Sequence, residues 1–324
     1  MTASIGICSV AHPHANAYAE VLTDLDAVEF VGVVDDEAER GRQFADENDT
    51  WLRSRTDLLS RADGVIVCSA NANRKPWIRT AAEAGVDILA EKPLGTSAKE
   101  ARHLAGICSD ADVALDVAMP LRHSVPARQA RERLNVVGDL IALSGTNRGQ
   151  FPGGWFADPD LSGGGAVMDH TVHIVDLVHW LTDTRVAEVY AETGTRFTDA
   201  AVEDVNVLSM ELDDGTPFLL DGSWSKPDEW PSWGDATLEI TGTECVLELD
   251  CFAQRFEVIR DEDPMGASSV FYGTDPNRVM LERFVETISG EPPAAPPADA
   301  ADALAVVEAA YESIDRGEPV AVEY

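Results

Sequence analysis

A two-domain chain is predicted: a doubly wound parallel α/β domain over residues 1–120, then an α+β domain with a large, mostly antiparallel sheet over residues 121–324. Three observations carry this. The first third alternates short, continuous apolar runs with stretches whose apolar residues recur at helical spacing, the pattern of parallel strands covered on both faces. Past Pro120 the apolar residues alternate with polar ones at period two, the pattern of strands with one covered face. The length, 324 residues, is about two domains at ~150 residues each.

Taken in order, Ser4–Cys8 reads as a strand and Ala15–Leu25 as a helix with Tyr18, Val21, Leu22 and Leu25 on one face. Val28–Val34 is a strand, Ala38–Glu47 a helix and Asp57–Leu59 a short turn or helix. Gly64–Cys68 and Asp87–Ala90 are strands flanking a helix at Pro76–Ala84. A helix at Ala98–Asp110 and a strand at Ala114–Ala118 complete the first domain. Right-handed crossovers between such strands give a doubly wound sheet. In the second domain Val125–Leu134 is helical, and Val205–Leu212, Phe218–Trp224, Ala236–Ile240 and Cys245–Leu249 are strands. Leu238 and Ile240 face one side and Thr237, Glu239 and Thr241 the other, with Gly242-Thr243-Glu244 as the turn. The Pro-rich stretch Glu291–Pro297 precedes a helix with Leu304, Val307, Tyr311 and Ile314 on a core-facing stripe. One face of the antiparallel sheet packs on helices; the other meets solvent or a second subunit, and Phe218, Leu220 and Trp224 are expected there.

Fifty-eight acidic and 24 basic residues leave a formal net charge of −34. That argues against nucleic acid and against anionic lipid as partners, both of which attract basic surfaces. The acids are dispersed from Asp24 to Glu323, and only four residues are lysines: Lys75, Lys92, Lys99 and Lys226. Dispersed acidity suits a halophilic cytoplasm; an Arg-rich codon bias with an acidic surface gives the same composition. Cys8, Cys68, Cys108, Cys245 and Cys251 lack CxxC spacing and read as free thiols in a reducing compartment. No apolar run approaches ~18 residues and the start lacks a basic n-region, so a soluble cytoplasmic protein is expected.

Four stretches can carry chemistry. The first strand–helix turn, Cys8-Ser9-Val10-Ala11-His12-Pro13-His14, lacks the glycines of a GxGxxG loop. It keeps small residues (Ser9, Ala11) before a helix N-terminus. Backbone N–H groups there can hold phosphate, with His12 and His14 as further donors; helix capping and a metal pair are the alternatives. The second strand ends at Asp35-Asp36, where a carboxylate can accept from an adenosine ribose and repel a 2′-phosphate, or serve as one more surface acid. Glu91-Lys92-Pro93 follows a strand, so Lys92 reaches the crevice where such sheets bind ligands, able to donate to a substrate oxygen or transfer a proton. Gly163-Gly164-Gly165 offers a flexible approach to a helix on which Asp169 and His173 lie at i and i+4, one carboxylate and one imidazole on a single face. General acid–base work, a metal site with His170 or Asp176, and helix packing all fit that spacing.

These pieces resemble the glucose-fructose oxidoreductase / inositol dehydrogenase / MocA family of NAD(P)-dependent oxidoreductases. The resemblance rests on Glu91-Lys92-Pro93, on the GGG-x-x-x-D-x-x-x-H run from Gly163 to His173 and on the domain order, and it covers essentially the whole chain. Ser69-Ala70-Asn71 is similar to the family's Thr-Pro-Asn loop, and Leu121-Arg122-His123 to its x-R-F segment. The resemblance implies a Rossmann first domain, an NAD(P) cofactor and a sugar or polyol substrate oxidised at a secondary alcohol; the expectation of NAD in preference to NADP rests on Asp35 with Asp36 beside it. It implies Lys92, Asp169 and His173 as catalytic, with His173 the proton acceptor. Cofactor contacts are implied at Ser9, Ala11, His12, Asp35, Asp36, Ser69, Asn71, Glu91 and Lys92. Substrate contacts are expected at Arg122, in the segment similar to x-R-F, and at His170; Trp155 either stacks on a sugar face or packs in the core. No resident metal is implied, and a homodimer or homotetramer through the second domain's sheet is. Three departures stand out: the glycine fingerprint is absent at Ser9–His14, Arg74 replaces a His common after the loop Asn, and His170 stands where many members have a residue other than His. A dinucleotide-binding sensor without catalysis is the alternative reading, and a metal-dependent hydrolase or lyase on His170, His173, Asp169 and Asp176 a third.

Overall fold

The computed structural model describes residues 2–259 and 267–324. The chain divides into two compact units, Met1–Pro120 with Asn277–Ala301, and Leu121–Pro276 with Asp302–Tyr324.

The first unit alternates β1 (Ala3–Cys8), α1 (His14–Asp24), β2 (Val28–Val34), α2 (Ala38–Glu47), α3 (Arg55–Leu59), β3 (Gly64–Val67), α4 (Arg74–Glu83), β4 (Asp87–Ala90), α5 (Ala98–Asp110) and β5 (Leu115–Val117). The strands pair in parallel in the order β2-β1-β3-β4-β5. Ile5, Ile7, Val33, Ile66 and Leu89 are buried because helices cover both faces, which is why these strands read as unbroken apolar runs. The strand order reverses between β1 and β3. That places the chain after β1 and after β3 at the crevice where doubly wound sheets hold ligands.

One departure from the predicted boundary is the return of residues 277–301 to this unit. Met280, Leu281 and Phe284, on the helix that spans Pro276–Ile288, join the core cluster of Ile5, Ile7, Tyr18 and Leu22. Beyond that helix, Val117 N–H donates to Ala295 O, and the Asp116 carboxylate accepts from the N–H groups of Ala294 and Ala295. The Pro-rich stretch thus caps the β5 edge of the sheet.

The second unit contains α6 (Val125–Arg133), β6 (Leu140–Thr146), α7 (Pro159–Ser162), α8 (Ala166–Thr182), β7 (Val186–Gly194), β8 (Val205–Leu212), β9 (Pro217–Asp221), β10 (Thr237–Gly242) and β11 (Val246–Asp250). A two-stranded pair, β12 (Arg255–Ile259) and β13 (Ala267–Phe271), precedes α9 (Pro276–Ile288), α10 (Pro297–Arg316) and β14 (Val320–Ala321). The large sheet runs β11-β10-β6-β9-β8-β7-β14, antiparallel throughout except for the parallel pair β6–β9. Ile174 of α8 lies against Gly145 of β6, so this helix packs on the covered face.

The expected open-face residues require correction. Phe218, Leu220 and Trp224 are buried, at 1%, 0% and 1% exposure. Register explains it: Phe218 pairs with Met210 and Leu220 with Leu208, both inward-facing, and Trp224 lies past the end of β9. The open face instead carries Val207 and Leu219, at 42% and 50% exposure, among exposed Glu211, Glu239 and Glu248. Leu238 and Ile240 share one face as predicted, and that face is the buried one. No described helix is long and apolar enough to cross a membrane. The cysteines are free thiols, buried at Cys8, Cys68, Cys108 and Cys251 and exposed at Cys245.

Candidate active site

In the first unit the loop after β1 forms the tight turn of a nucleotide-binding loop without its glycines. Ser9 takes a left-handed backbone conformation (φ 63°), a position usually given to glycine. The Asp35 carboxylate offsets this strain: Oδ2 accepts from Val10 N–H at 2.7 Å and from Ser9 Oγ at 3.2 Å. Oδ1 accepts from Glu37 N–H, and Arg40 closes on both oxygens, Nη2 to Oδ1 at 2.7 Å and Nε to Oδ2 at 3.2 Å. Arg40 was not anticipated; its place one turn into α2 was the available signal. Asp36 is exposed and pairs with Arg55 at 2.7 Å.

A second network ties α1 to the turn after β4. Glu91 is fully buried, and its Oε1 accepts from Tyr18 Oη at 2.6 Å and from His14 Nδ1 at 2.9 Å. A carboxylate only accepts, so the His14 proton sits on Nδ1. Glu91 Oε2 accepts from Lys92 N–H at 3.1 Å. Burial opposes charge on Glu91, but neighbouring His12 and His14 and the hydrogen bonds from His14 and Tyr18 outweigh it and hold the carboxyl well below its ordinary value. His12 is 3% exposed, and burial pushes its pKa well below the imidazole range, so the ring is neutral. Its Nδ1 accepts from His14 N–H at 3.2 Å, which leaves the proton on Nε2. His12, His14 and Glu91 are the one His/Cys/Asp/Glu trio among the described residues with ligand atoms close enough for a metal, all within 4.8 Å. His14 Nδ1 and Glu91 Oε1 are hydrogen-bonded to each other, and the trio reads as an internal network.

Lys92 is 4% exposed, beside the equally buried Ser69 and Asn71. Arg74, the replacement for the expected His, is fully buried. Its Nη2 donates to Lys92 O at 3.0 Å and more distantly to Ser69 O at 3.4 Å. Burial lowers its pKa to about 10, against the pull of Glu91, so it stays a cation at neutral pH. Arg74 therefore braces the backbone that carries Lys92 from beneath. Ser9, Ala11 and His12 lie before α1, and Asp35, Ser69 and Asn71 beyond their strands. A left-handed turn, a helix N-terminus and a buried carboxylate at the end of β2 suit a dinucleotide.

In the second unit the glycine run serves close approach, not flexibility. A Cβ on Gly164 would come within 1.9 Å of Tyr311 Oη, and one on Gly165 within 2.0 Å of Glu203 O. Glu203 caps α8: Oε1 accepts from Gly165 N–H and Val167 N–H at 3.0 Å each, and from Tyr311 Oη at 2.8 Å. From this anchored start α8 presents Asp169 and His173, each 7% exposed, one turn apart. Trp224 Nε1 donates to Asp169 Oδ2 at 3.1 Å. His170 is fully buried, with Nδ1 2.9 Å from Gly222 O.

Arg122, expected at the substrate, makes a buried bidentate pair with Asp176, Nε to Oδ2 at 2.7 Å and Nη2 to Oδ1 at 2.5 Å, and so clamps α8 one turn below His173. With Asp176 committed to Arg122, the residues Asp169, His170, His173 and Asp176 do not form a metal cluster among the described residues. Trp155 stacks on Phe156, centroids 3.8 Å apart and 21° between planes, at the edge of a cluster with Trp224 and Ala166.

The model of an oxidoreductase family with an NAD-binding Rossmann fold matches residues 2–119, and that of the GFO/IDH/MocA C-terminal domain matches residues 127–248. D-xylose 1-dehydrogenase (NADP(+)) 2 of Haloferax volcanii is 28% identical over 279 residues, which cover 81% of this chain and 81% of that protein. The rhizopine catabolism protein MocA of Rhizobium meliloti is 26% identical over 320 residues, covering 96% and 94%. Among solved structures, GenD2 from gentamicin A biosynthesis, in complex with NAD, is similar with a TM-score of 0.89 at 25% identity, over 100% of this chain and 97% of its own. The chain belongs to the GFO/IDH/MocA family of oxidoreductases, and residues 2–119 are its NAD-binding Rossmann fold.

Proposed function

We propose that the protein is an NAD-dependent dehydrogenase acting on a secondary alcohol of a sugar, cyclitol or related polyol. The observation that carries this reading is α8: from Ala166 to Val178 the helix is buried, and the most exposed residues of that stretch are one carboxylate, Asp169, and one imidazole, His173, on a single face. The relatives support the substrate class, since D-xylose 1-dehydrogenase acts on a sugar. A bound nicotinamide would supply the hydride acceptor. In the second unit His173 accepts the hydroxyl proton and Asp169 orients the imidazole or substrate; in the first unit Lys92 is the residue able to donate to a substrate oxygen and stabilise developing negative charge. NAD is taken as the cofactor because residues 2–119 match an NAD-binding Rossmann fold; Asp35 and Asp36 are ion-paired with Arg40 and Arg55, so the carboxylates at the end of β2 are compensated and the choice against a 2′-phosphate is left to the turnover test.

Assembly and location complete the proposal. A homodimer or homotetramer forms through the open face of the large sheet, where Val207 and Leu219 are diagonal neighbours on β8 and β9. The buried free thiols support a reducing, cytoplasmic compartment. The test is turnover with NAD and with NADP across a polyol panel, for wild type and His173→Ala. Oxidation of at least one polyol with NAD preferred, and its loss in His173→Ala, is the expected result. NAD binding by calorimetry with no oxidation of any panel member would favour a sensor instead.

A further inference from the structure

We propose that Trp224 and His170 are positioning residues for Asp169: two rings, both anchored at the exit of β9, that fix which carboxylate oxygen is held and which is presented. The inference rests on the catalytic reading of Asp169 above. An indole N–H only donates, and Trp224 Nε1 donates to Asp169 Oδ2 at 3.1 Å. The His170 Nδ1 stands 2.9 Å from Gly222 O; a carbonyl only accepts, so that nitrogen carries a proton. The other ring nitrogen, Nε2, stands 3.3 Å from the same Asp169 Oδ2, an ion-pair contact that holds the carboxylate when both ring nitrogens carry protons. Both rings therefore address Oδ2, and neither of these two contacts involves Oδ1.

The frame is rigid because of where it is built. Gly222 N–H donates to the buried side chain of Asn206 at 3.1 Å, and Trp224 N–H to Asp204 O at 2.8 Å, so the backbone is pinned just as it leaves the ladder. The ring planes of His170 and Trp224 are perpendicular at 6.2 Å, and Phe151 packs on Trp224 at 5.3 Å. A Cβ on Gly222 would come within 2.9 Å of Asn206 Oδ1 and 3.4 Å of His170 Cβ, so the chain approaches α8 as closely as glycine allows. An aspartate in the first turn of a helix ordinarily serves the free N–H groups there. At α8 that task belongs to Glu203, which accepts from Gly165 and Val167. The two rings set the turn of the Asp169 carboxylate.

Trp224→Phe keeps an aromatic ring in the pocket and removes the N–H. With D-xylose and myo-inositol as substrates and NAD as acceptor, the expected result is a fall in kcat of about ten- to a hundred-fold, the worth of a hydrogen bond to a charged group. NAD affinity stays at wild type, while the thermal midpoint falls by the amount a lost buried hydrogen bond and a smaller ring entail. In an Asp169→Asn background the same substitution adds no further loss. An unchanged kcat in Trp224→Phe, or an equal loss in both backgrounds, overturns the proposal, because the indole then acts through packing. Wild-type turnover by Asp169→Asn alone refutes the catalytic reading instead. An activity-free arm decides the geometry even if neither probe turns over. The indole N–H resonance that disappears in Trp224→Phe shifts in Asp169→Ala; an unmoved resonance overturns the frame.

Discussion

Asp176→Asn removes the charge from a buried ion pair while keeping its shape. Arg122 and Asp176 have side chains 3% and 2% exposed, joined by two hydrogen bonds of 2.7 and 2.5 Å. The guanidinium cannot neutralise. Once its bidentate partner is gone it stays buried as a cation, and breaking such a pair costs about 3–5 kcal/mol. In a domain of this size each kcal/mol moves the melting midpoint roughly 2–4 °C, so a fall on the order of 6–20 °C is expected for the second unit by scanning calorimetry. The double replacement Arg122→Met with Asp176→Leu exchanges the pair for apolar groups of similar bulk and is expected within about 1 kcal/mol of wild type. If the pair is a brace for α8, the double variant also keeps the wild-type KM for its polyol. A single variant within about 1 kcal/mol of wild type, or a double variant as unstable as the single, would refute the reasoning. A large rise in KM in the double variant would return Arg122 to the substrate.

Gly165→Ala drives a methyl group into Glu203 O. Overpacking of about 1–3 kcal/mol is expected, with a loss of kcat larger than the stability loss explains, because the start of α8 must shift; equal activity would show that the helix start tolerates the methyl. The Asp204 carboxylate accepts from the N–H groups of Arg196, Phe197 and Thr198 and from Thr198 Oγ1; burial works against its charge, but these bonds outweigh it and lower its pKa. A depressed folded-state pKa stabilises above the unfolded value of about 3.9 and is lost as pH falls through the folded value. Urea midpoints should therefore drop below about pH 4 in wild type, and less so in Asp204→Asn. Native thiol titration should find Cys245 alone reactive, with burial holding Cys8 and Cys251 up at about 12, and all five thiols only after unfolding. Activity and folding should persist or rise in molar KCl if the net charge of −34 is a halophilic trait; loss of both there, with full activity in dilute buffer, removes that reading.

The parallel sheet was legible because burial on both faces writes itself as continuous apolar runs, and β2, β4, α2 and α5 lie where those runs place them. The second sheet was less so. Strands β6 and β7 escaped notice: Leu140–Thr146 carries Gly145 at an inward position, where Ile174 fills the space, and Val186–Gly194 mixes glutamates with alanines. The open face was assigned to Phe218 and Leu220 because alternation shows which residues share a face but not which face is covered. The glycine run of 163–165 was visible, yet its reason lay in Tyr311 and Glu203, far away in sequence. Residues 277–301 return to the first unit through an apolar stripe that suits either unit's core. Motif spacing put Lys92, Asp169 and His173 forward as candidates. The residues holding them, Arg74, Glu203 and Trp224, act through contacts that have no sequence period. Tyr18 was the exception, one turn after His14 on the same face of α1.

The central claim is that Lys92 stabilises the substrate oxygen during oxidation by NAD. Its most direct measurement is the rate of NAD reduction by wild type and Lys92→Ala on the preferred polyol, with NAD affinity determined in parallel. The account predicts a loss of about a hundred-fold or more in kcat with NAD affinity retained. Near-wild-type turnover by Lys92→Ala would contradict it.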